Sequence, residues 1–266
     1  MKRHYIELWL LLLAAFVVVA AASAFEMPEV CGHQFRHSGI AEAITASRDT
    51  VESQLAEVIV ADSIECPVPA RTFPMPMDTT SHTILFIGDS MLEGLGPRLA
   101  AYAEKNGHTL YNVVWYSSTS EVWGRSDKLK NYIEKIRPGF IFVSLGANEL
   151  FVRDIAAKRR QYVEKIVADI DTIPFVWIGP PNWKDDTGIN ELIASVAPKG
   201  TFFLSNGMTF QRSKDGAHPT RDSACDWLDS VARWMPQNAL HPIRMERPDK
   251  KHGRPARIFV HQPSEK

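Results

Sequence analysis

The sequence has few cysteines and almost no net charge. Three cysteines, Cys31, Cys66 and Cys225, occur among 266 residues, and none forms a Cys-x-x-Cys pair, which argues against a thiolate metal site. The formal net charge of −1 gives no electrostatic reason to expect nucleic acid as a partner. In an oxidising compartment Cys31 and Cys66 form the candidate disulfide, whereas Cys225 lies in an amphipathic pattern that predicts a small buried residue.

The N-terminus indicates export. Lys2 and Arg3 precede an unbroken apolar run over residues 8–22, and the small-residue triplet Ala22-Ser23-Ala24 closes it. This order is typical of a secretory signal cleaved after the triplet. Because the run approaches the ~20 residues that span a bilayer, an uncleaved membrane anchor is the alternative. Residues 1–24 therefore predict a periplasmic, membrane-anchored or secreted protein of the bacterial cell envelope.

Two further segments differ in composition from the centre of the chain. Residues 25–80 combine a helical pattern with a proline-rich stretch, which predicts a helical segment followed by an extended linker. Residues 239–266 are rich in Arg, Lys, Pro and His, and they predict a basic, disordered tail. The part between them, 81–238, has the length of one α/β domain.

Within that domain, short continuous apolar runs alternate with helical patterns. The runs cover residues 84–87, 113–116, 140–143, 175–178 and, more weakly, 201–204. Strands that are apolar without alternation are buried on both faces, as in a parallel sheet flanked by helices. The pattern predicts an α/β fold, a three-layer α/β/α sandwich with a parallel sheet of about five strands.

Reactive residues follow three of these runs. The first run leads into Gly88-Asp89-Ser90, so that Ser90 stands where a helix begins, beside free N–H groups. A nucleophile and an oxyanion site need this setting. The plainer interpretation is that Asp89 or Ser90 caps the helix.

The other two candidates suit the same chemistry. The third run ends in Gly146-Ala147-Asn148-Glu149, where the Asn148 amide can donate to an oxyanion. The loop before the last helix contains Asp215-Gly216-Ala217-His218, where His218 can act as a base and Asp215 can fix its tautomer. Since ligands of parallel sheets bind at the carboxyl ends of the strands, we expect these residues to meet there.

These three motifs, over roughly residues 83–236, resemble those of the SGNH (GDSL-type) hydrolases. The resemblance implies a flavodoxin-like fold, with Ser90 as nucleophile, His218 as general base and acid, and Asp215 as the carboxylate that orients it. It also implies an oxyanion hole formed by the Ser90 N–H, the Asn148 side chain and a glycine N–H after the second strand.

This sequence departs from the family pattern in two places. Gly124 is the candidate for the third oxyanion donor, and Ser120 is the alternative, because a backbone N–H from either would serve. Glu149 stands where Asp is common, and we expect this change to affect the anchoring of the loop rather than the reaction.

Substrate contacts are expected from residues beside these motifs. We assign Asp89, Asn182 and Trp183 to substrate binding, the last two because they follow two prolines at the end of the fourth run. Trp183 offers a flat surface to a sugar ring, or else it packs beneath its loop.

The sequence predicts an exported serine esterase. The expected substrate is a small acyl ester, in particular an acetylated glycan of the cell envelope, and the expected mechanism needs no metal or organic cofactor. An O-acetyltransferase that uses the same acyl-enzyme is the alternative enzyme. A non-catalytic glycan-binding module is the alternative of another class.

Overall fold

The computed structural model describes residues 75–263. The predictions for residues 1–24, for most of 25–80 and for a Cys31–Cys66 disulfide lie outside the described residues. Within 75–263, no helix has both the length and the apolar character that crossing a bilayer requires.

The described part of the chain forms six strands and six helices. The strands are β1 (Thr83–Gly88), β2 (Thr109–Trp115), β3 (Phe140–Ser144), β4 (Phe175–Ile178), β5 (Phe202–Phe203) and β6 (Arg257–His261). The helices are α1 (Leu92–Asn106), α2 (Ser120–Arg125), α3 (Lys128–Ile136), α4 (Ile155–Ile170), α5 (Ile189–Val196) and α6 (Arg221–Asn238).

All six strands belong to one parallel sheet in the order β5-β4-β3-β1-β2-β6. The first five follow the flavodoxin-like order, with β1 and β3 at the centre. These two strands are buried along nearly their whole length, as their uninterrupted apolar sequences predict. The predicted α/β fold with a parallel sheet is confirmed.

Two apolar clusters lie on opposite faces of the sheet. Ile84 and Phe86 of β1 join the cluster under α1 and α6, whereas Leu85 and Ile87 join the cluster under α3, α4 and α5. Successive side chains of a strand point to opposite faces, so one apolar run serves both clusters. This arrangement gives the predicted three layers.

The prediction of a disordered tail after residue 238 is wrong for the residues that the structure describes. Strand β6 pairs in parallel with β2 and adds a sixth strand to the sheet. The composition of this segment is polar, but β6 itself carries three consecutive apolar residues, Ile258, Phe259 and Val260. Backbone hydrogen bonds hold much of the segment before β6, such as those from Gly253 to Pro97 and from Ala256 to Leu110. Composition does not reveal such bonds.

A buried ion pair fixes the path of the tail. Arg98 of α1 donates from Nε and Nη2 to Asp229 of α6, at 2.7 and 3.0 Å, and both side chains are buried. The Arg98 Nη1 group donates to the carbonyl of Lys250 at 2.8 Å, so the same guanidinium holds the tail against both helices. Cys225, one turn before Asp229 on α6, is a free and buried thiol, as its sequence context predicts.

We predict that Asp229→Ala lowers the free energy of unfolding by about 3–5 kcal/mol, because it leaves the Arg98 guanidinium buried without a counter-charge. Urea unfolding followed by circular dichroism measures the effect. Asp222→Ala is the control. Asp222 lies on the same helix as Asp229, and its ion pair with Lys251 is exposed, so its loss should change stability little. Equal losses in the two variants would contradict this account of the tail.

Candidate active site

The turn after β1 is built around a close approach to β3. A Cβ on Gly88 would lie 2.2 Å from the carbonyl oxygen of Ser144, so only glycine fits there. The Asp89 N–H donates to the same carbonyl at 3.2 Å. Ser90 follows at the carboxyl edge of the sheet, and α1 begins two residues later at Leu92. Neither Asp89 nor Ser90 is the N-cap of α1, because that position is Met91.

The loop before α6 brings an imidazole to Ser90. His218 Nε2 lies 2.7 Å from Ser90 Oγ, and His218 Nδ1 lies 2.7 Å from Asp215 Oδ2. The other carboxylate oxygen of Asp215 accepts the backbone N–H groups of Ala217 and His218, at 2.9 and 3.0 Å. Carboxylate, imidazole and hydroxyl therefore form one continuous hydrogen-bonded chain, the arrangement in which an imidazole can take the hydroxyl proton.

The carboxylate of this chain is held in its charged form. Hydrogen bonds lower the pKa of Asp215 to about 2. The largest contribution comes from the Ala217 N–H, and smaller ones come from the side chain and the backbone N–H of His218. Asp215 therefore stays ionised across the neutral range and can accept the N–H of an imidazole whose Nε2 is free to act as a base.

The Asn148 side chain lies in the loop after β3. Gly146, with φ of 118°, turns this loop, and Asn148 Nδ2 donates to the carbonyl of Ser118 in the loop after β2 at 3.0 Å. A primary amide has two N–H groups, so one of them remains for another acceptor. The contact also fixes the side chain between the loops after β2 and β3, the two strands that flank β1.

The two sequence candidates for a further backbone donor do not serve as one. The Ser120 N–H donates to Glu149 Oε2 and its hydroxyl to Glu149 Oε1, both at 2.8 Å. Gly124 lies inside α2, where its N–H belongs to the helical ladder. A Cβ on Gly124 would meet the Tyr162 side chain at 2.8 Å, so this glycine is required for the packing of α2 on α4.

Ser117 is a further candidate for a backbone donor, and the sequence reasoning missed it. It is exposed in the turn after β2, its φ is 54°, and its backbone N–H has no acceptor among the residues described. Asn148 binds the carbonyl of Ser118, the residue next to Ser117, so Ser117 and Asn148 belong to loops that contact each other. The family pattern has a glycine at the third donor position. Serine rarely adopts a positive φ, so the sequence does not indicate that Ser117 takes this conformation.

The expected substrate contacts are used mainly within the protein. Asp89 is only 1% exposed, and its Oδ1 accepts the Met91 N–H at 2.9 Å, so it braces the turn and does not face substrate. Asn182 Oδ1 accepts from Asn190 at 3.0 Å. The half-buried Trp183 donates from Nε1 to the carbonyl of Ala147 at 2.9 Å, so it packs beneath the loop that carries Asn148.

Two charged side chains brace the loops of the site. Glu149 is fully buried, and besides Ser120 it binds Arg159 Nε of α4 at 2.8 Å, which confirms its expected anchoring role. Arg212 donates to the carbonyl of Ala217, next to His218, and at 3.0 Å to that of Asn182. The sequence reasoning missed Arg212, because nothing in its local sequence marks a residue that bridges two loops.

A cavity of about 630 Å³ opens beside Ser90 and His218. Its other walls come from α1, from the carboxyl half of β2, from the start of α6 and from β6.

Comparisons with known proteins give structural likenesses at low identity. Neither a protein-family model nor a curated protein matches the chain. Solved structures similar to it include the psychrotrophic esterase EstA from Pseudoalteromonas sp., at 18% identity over 57% of this chain and 97% of that one, with a TM-score of 0.42. TesA matches at 19% identity over 56% of this chain and 95% of that one, with a TM-score of 0.44.

The Clostridium thermocellum family 3 carbohydrate esterase matches at 17% identity over 59% of this chain and 100% of that one, with a TM-score of 0.41. Such likenesses are too distant to decide what the chain does. The function is therefore inferred from the geometry of the site.

The burial of Asp89 predicts that the stability of the protein depends on pH. Burial raises its pKa to about 7, and it outweighs the Met91 N–H, which favours the charged form. Between about pH 4 and pH 7 the folded state keeps a proton that the unfolded chain has lost, so this carboxyl makes the free energy of unfolding fall as the pH rises.

We predict that Asp89→Asn removes this dependence. The stability of the variant relative to wild type should rise by about 1 kcal/mol for each pH unit between pH 4 and pH 7, and level off above that. Urea unfolding at several pH values measures the difference, and the exposed Asp185→Asn controls for the loss of a carboxyl group. A difference independent of pH would show that Asp89 is already ionised at pH 4.

Proposed function

We propose that the chain is an ester hydrolase of the SGNH type in which Ser90 is the nucleophile. The observation that carries the proposal is the chain of hydrogen bonds from Asp215 through His218 to the Ser90 hydroxyl, with 2.7 Å at each imidazole nitrogen. In the proposed reaction, His218 Nε2 takes the Ser90 proton while Oγ bonds to the ester carbonyl carbon. The carbon–oxygen bond to the alcohol then breaks, and His218 gives the proton to the departing oxygen.

Water completes the cycle through the same groups. His218 takes a proton from water, the resulting hydroxide attacks the acyl carbon, and Ser90 leaves with the proton returned to Oγ. Asp215 stays ionised throughout, and it stabilises the imidazolium that forms at each transfer.

Three N–H groups suit the negative charge that develops on the carbonyl oxygen. The backbone N–H groups of Ser90 and Ser117 have no acceptor among the described residues, and the Asn148 amide has one N–H to spare. Donors fixed in advance stabilise a tetrahedral intermediate without reorganising during the reaction. We assign these three groups to the oxyanion hole.

The proposed substrate is an acetylated carbohydrate of the cell envelope. Support for the location comes from the N-terminal sequence, which has the order of an export signal. Transfer of the acyl group to a sugar hydroxyl would use the same acyl-enzyme. The fraction of acetyl groups released as free acetate when a sugar acceptor is present therefore distinguishes a hydrolase from a transferase.

We predict that Ser90→Ala abolishes the release of acetate from acetate esters, and that Asp215→Asn lowers kcat by about 10⁴, the loss typical of an imidazole held in the wrong tautomer. Acetate release by the purified variants measures both effects, with circular dichroism to verify folding. Ser230→Ala, which changes a partly exposed serine on α6, is the control. Full activity in a folded Ser90→Ala variant would refute the proposed nucleophile.

We predict that Asn148→Ala lowers kcat by about 10²–10³ with a small effect on KM, because an oxyanion donor acts mainly in the transition state. The same steady-state assay measures it, and the exposed Asn131→Ala serves as the matched control. A change in KM with unchanged kcat would instead assign Asn148 to the binding of the ground state.

A further inference from the structure

Two rows of side chains lead from the edge of the sheet to Ser90. Asn112 of β2 is in register with Ile258 of β6, and Val114 is in register with Val260 and, on its other side, with Gly88. Partners in parallel strands project on the same face, here the face covered by α1 and α6. Strand β6 forms the outer end of both rows.

This face is left partly open at β6. The Ile258 and Val260 side chains are 54% and 50% exposed, the largest exposure of aliphatic side chains in the described sheet. Both line the cavity of about 630 Å³ that contains Ser90 and His218. Part of their exposed surface therefore faces a cavity that adjoins the nucleophile.

The position of His218 determines which half of an ester this cavity can hold. The departing alcohol must lie on the imidazole side, because His218 Nε2 returns the proton to it, whereas the carbonyl oxygen points to the oxyanion donors. His218 lines the cavity, and Asn148 and Ser117 are not among its lining residues. The cavity therefore lies on the alcohol side of the reacting carbon.

Asn112 indicates the chemistry of that alcohol. It lines the cavity and is only 3% exposed, and its Oδ1 has no hydrogen-bond partner within the described part of the chain. This oxygen is shielded from solvent, so the amide meets the cavity through Nδ2, which has no acceptor among the described residues. A bound group that accepts a hydrogen bond from Nδ2 would pair it. Gly96 makes room for this amide, since a Cβ there would lie 2.4 Å from Asn112 Nδ2.

We propose that this cavity binds the alcohol half of the substrate, and that this half is a polyhydroxylated unit such as a sugar ring. Its C–H faces would pack on Ile258, Val260 and Pro255, and one hydroxyl oxygen would accept a hydrogen bond from Asn112 Nδ2. The volume is in the range of ~300–1,000 Å³ typical of sites for whole small molecules, whereas a simple alkyl alcohol would leave Asn112 unpaired. The inference rests on the proposed roles of Ser90 and His218.

The first experiment compares two acetate esters that differ only in the alcohol, 6-O-acetylglucose and ethyl acetate. Asn112→Leu should lower the ratio of their kcat/KM values by about tenfold, the value of one hydrogen bond to a buried group. Val260→Trp fills the cavity and should lower the ratio further. Leu204→Trp is the matched control, because Leu204 is equally exposed, at 50%, and is not a lining residue.

A second ester series separates the two halves of the substrate. If Val260→Trp impairs p-nitrophenyl octanoate relative to p-nitrophenyl acetate, and leaves the ratio for the sugar ester unchanged, the cavity binds the acyl half and the proposal is overturned. An unchanged ratio in both series also overturns it.

Binding to Ser90→Ala tests the cavity independently of turnover. Methyl glucopyranoside should shift the NMR methyl signals of Ile258 and Val260, and its Kd should rise about tenfold in Ser90→Ala/Asn112→Leu. Absence of these shifts, or tighter binding of cyclohexanol, would overturn the cavity assignment. A wild-type protein without esterase activity that still shows the shifts would refute the proposed hydrolysis while supporting the sugar site.

Discussion

The contact between the β1 turn and the end of β3 is the constraint on which the site depends. Gly88 lies against the Ser144 carbonyl, closer than any side chain would permit, and the Asp89 N–H donates to the same oxygen. The turn cannot move away from β3 without breaking this hydrogen bond. Ser90 is thereby fixed at the edge of the sheet, within reach of residues that enter from other strands.

The loops around Ser90 are held by one another rather than by the sheet alone. Asn148 binds the Ser118 carbonyl, and Glu149 takes both the N–H and the hydroxyl of Ser120. Arg212 connects the loop of His218 to the loop after β4. Each contact is part of a polar network at least partly shielded from water, where fixed dipoles interact more strongly than they do in solution. Such bracing keeps donors in place before substrate arrives.

The C-terminal segment contributes to the site as well as to the sheet. The Arg98–Asp229 pair and the Lys250 carbonyl fix its path across α1 and α6. It then returns as β6, which places Ile258 and Val260 at the outer wall of the cavity. Without β6, the cavity beside Ser90 would lose this wall and β2 would be the edge of the sheet.

The sequence by itself determined the parallel α/β architecture, because continuous apolar strands alternating with helices have few other ways to be buried. It also indicated the three residues of the hydrogen-bonded chain, Ser90, Asp215 and His218, since a short motif in a strand-end loop fixes its own local geometry. Glu149 could be predicted as an anchor for the same reason.

Only the tertiary structure decided which groups surround those positions. Ser117 became the candidate donor in place of Gly124 because its backbone adopts a positive φ that the sequence does not announce. The pairing of β6 with β2 and the unpaired amide of Asn112 depend on contacts between residues more than 100 positions apart in sequence. Such contacts are set by the packing of the whole chain, which no local pattern of residues records.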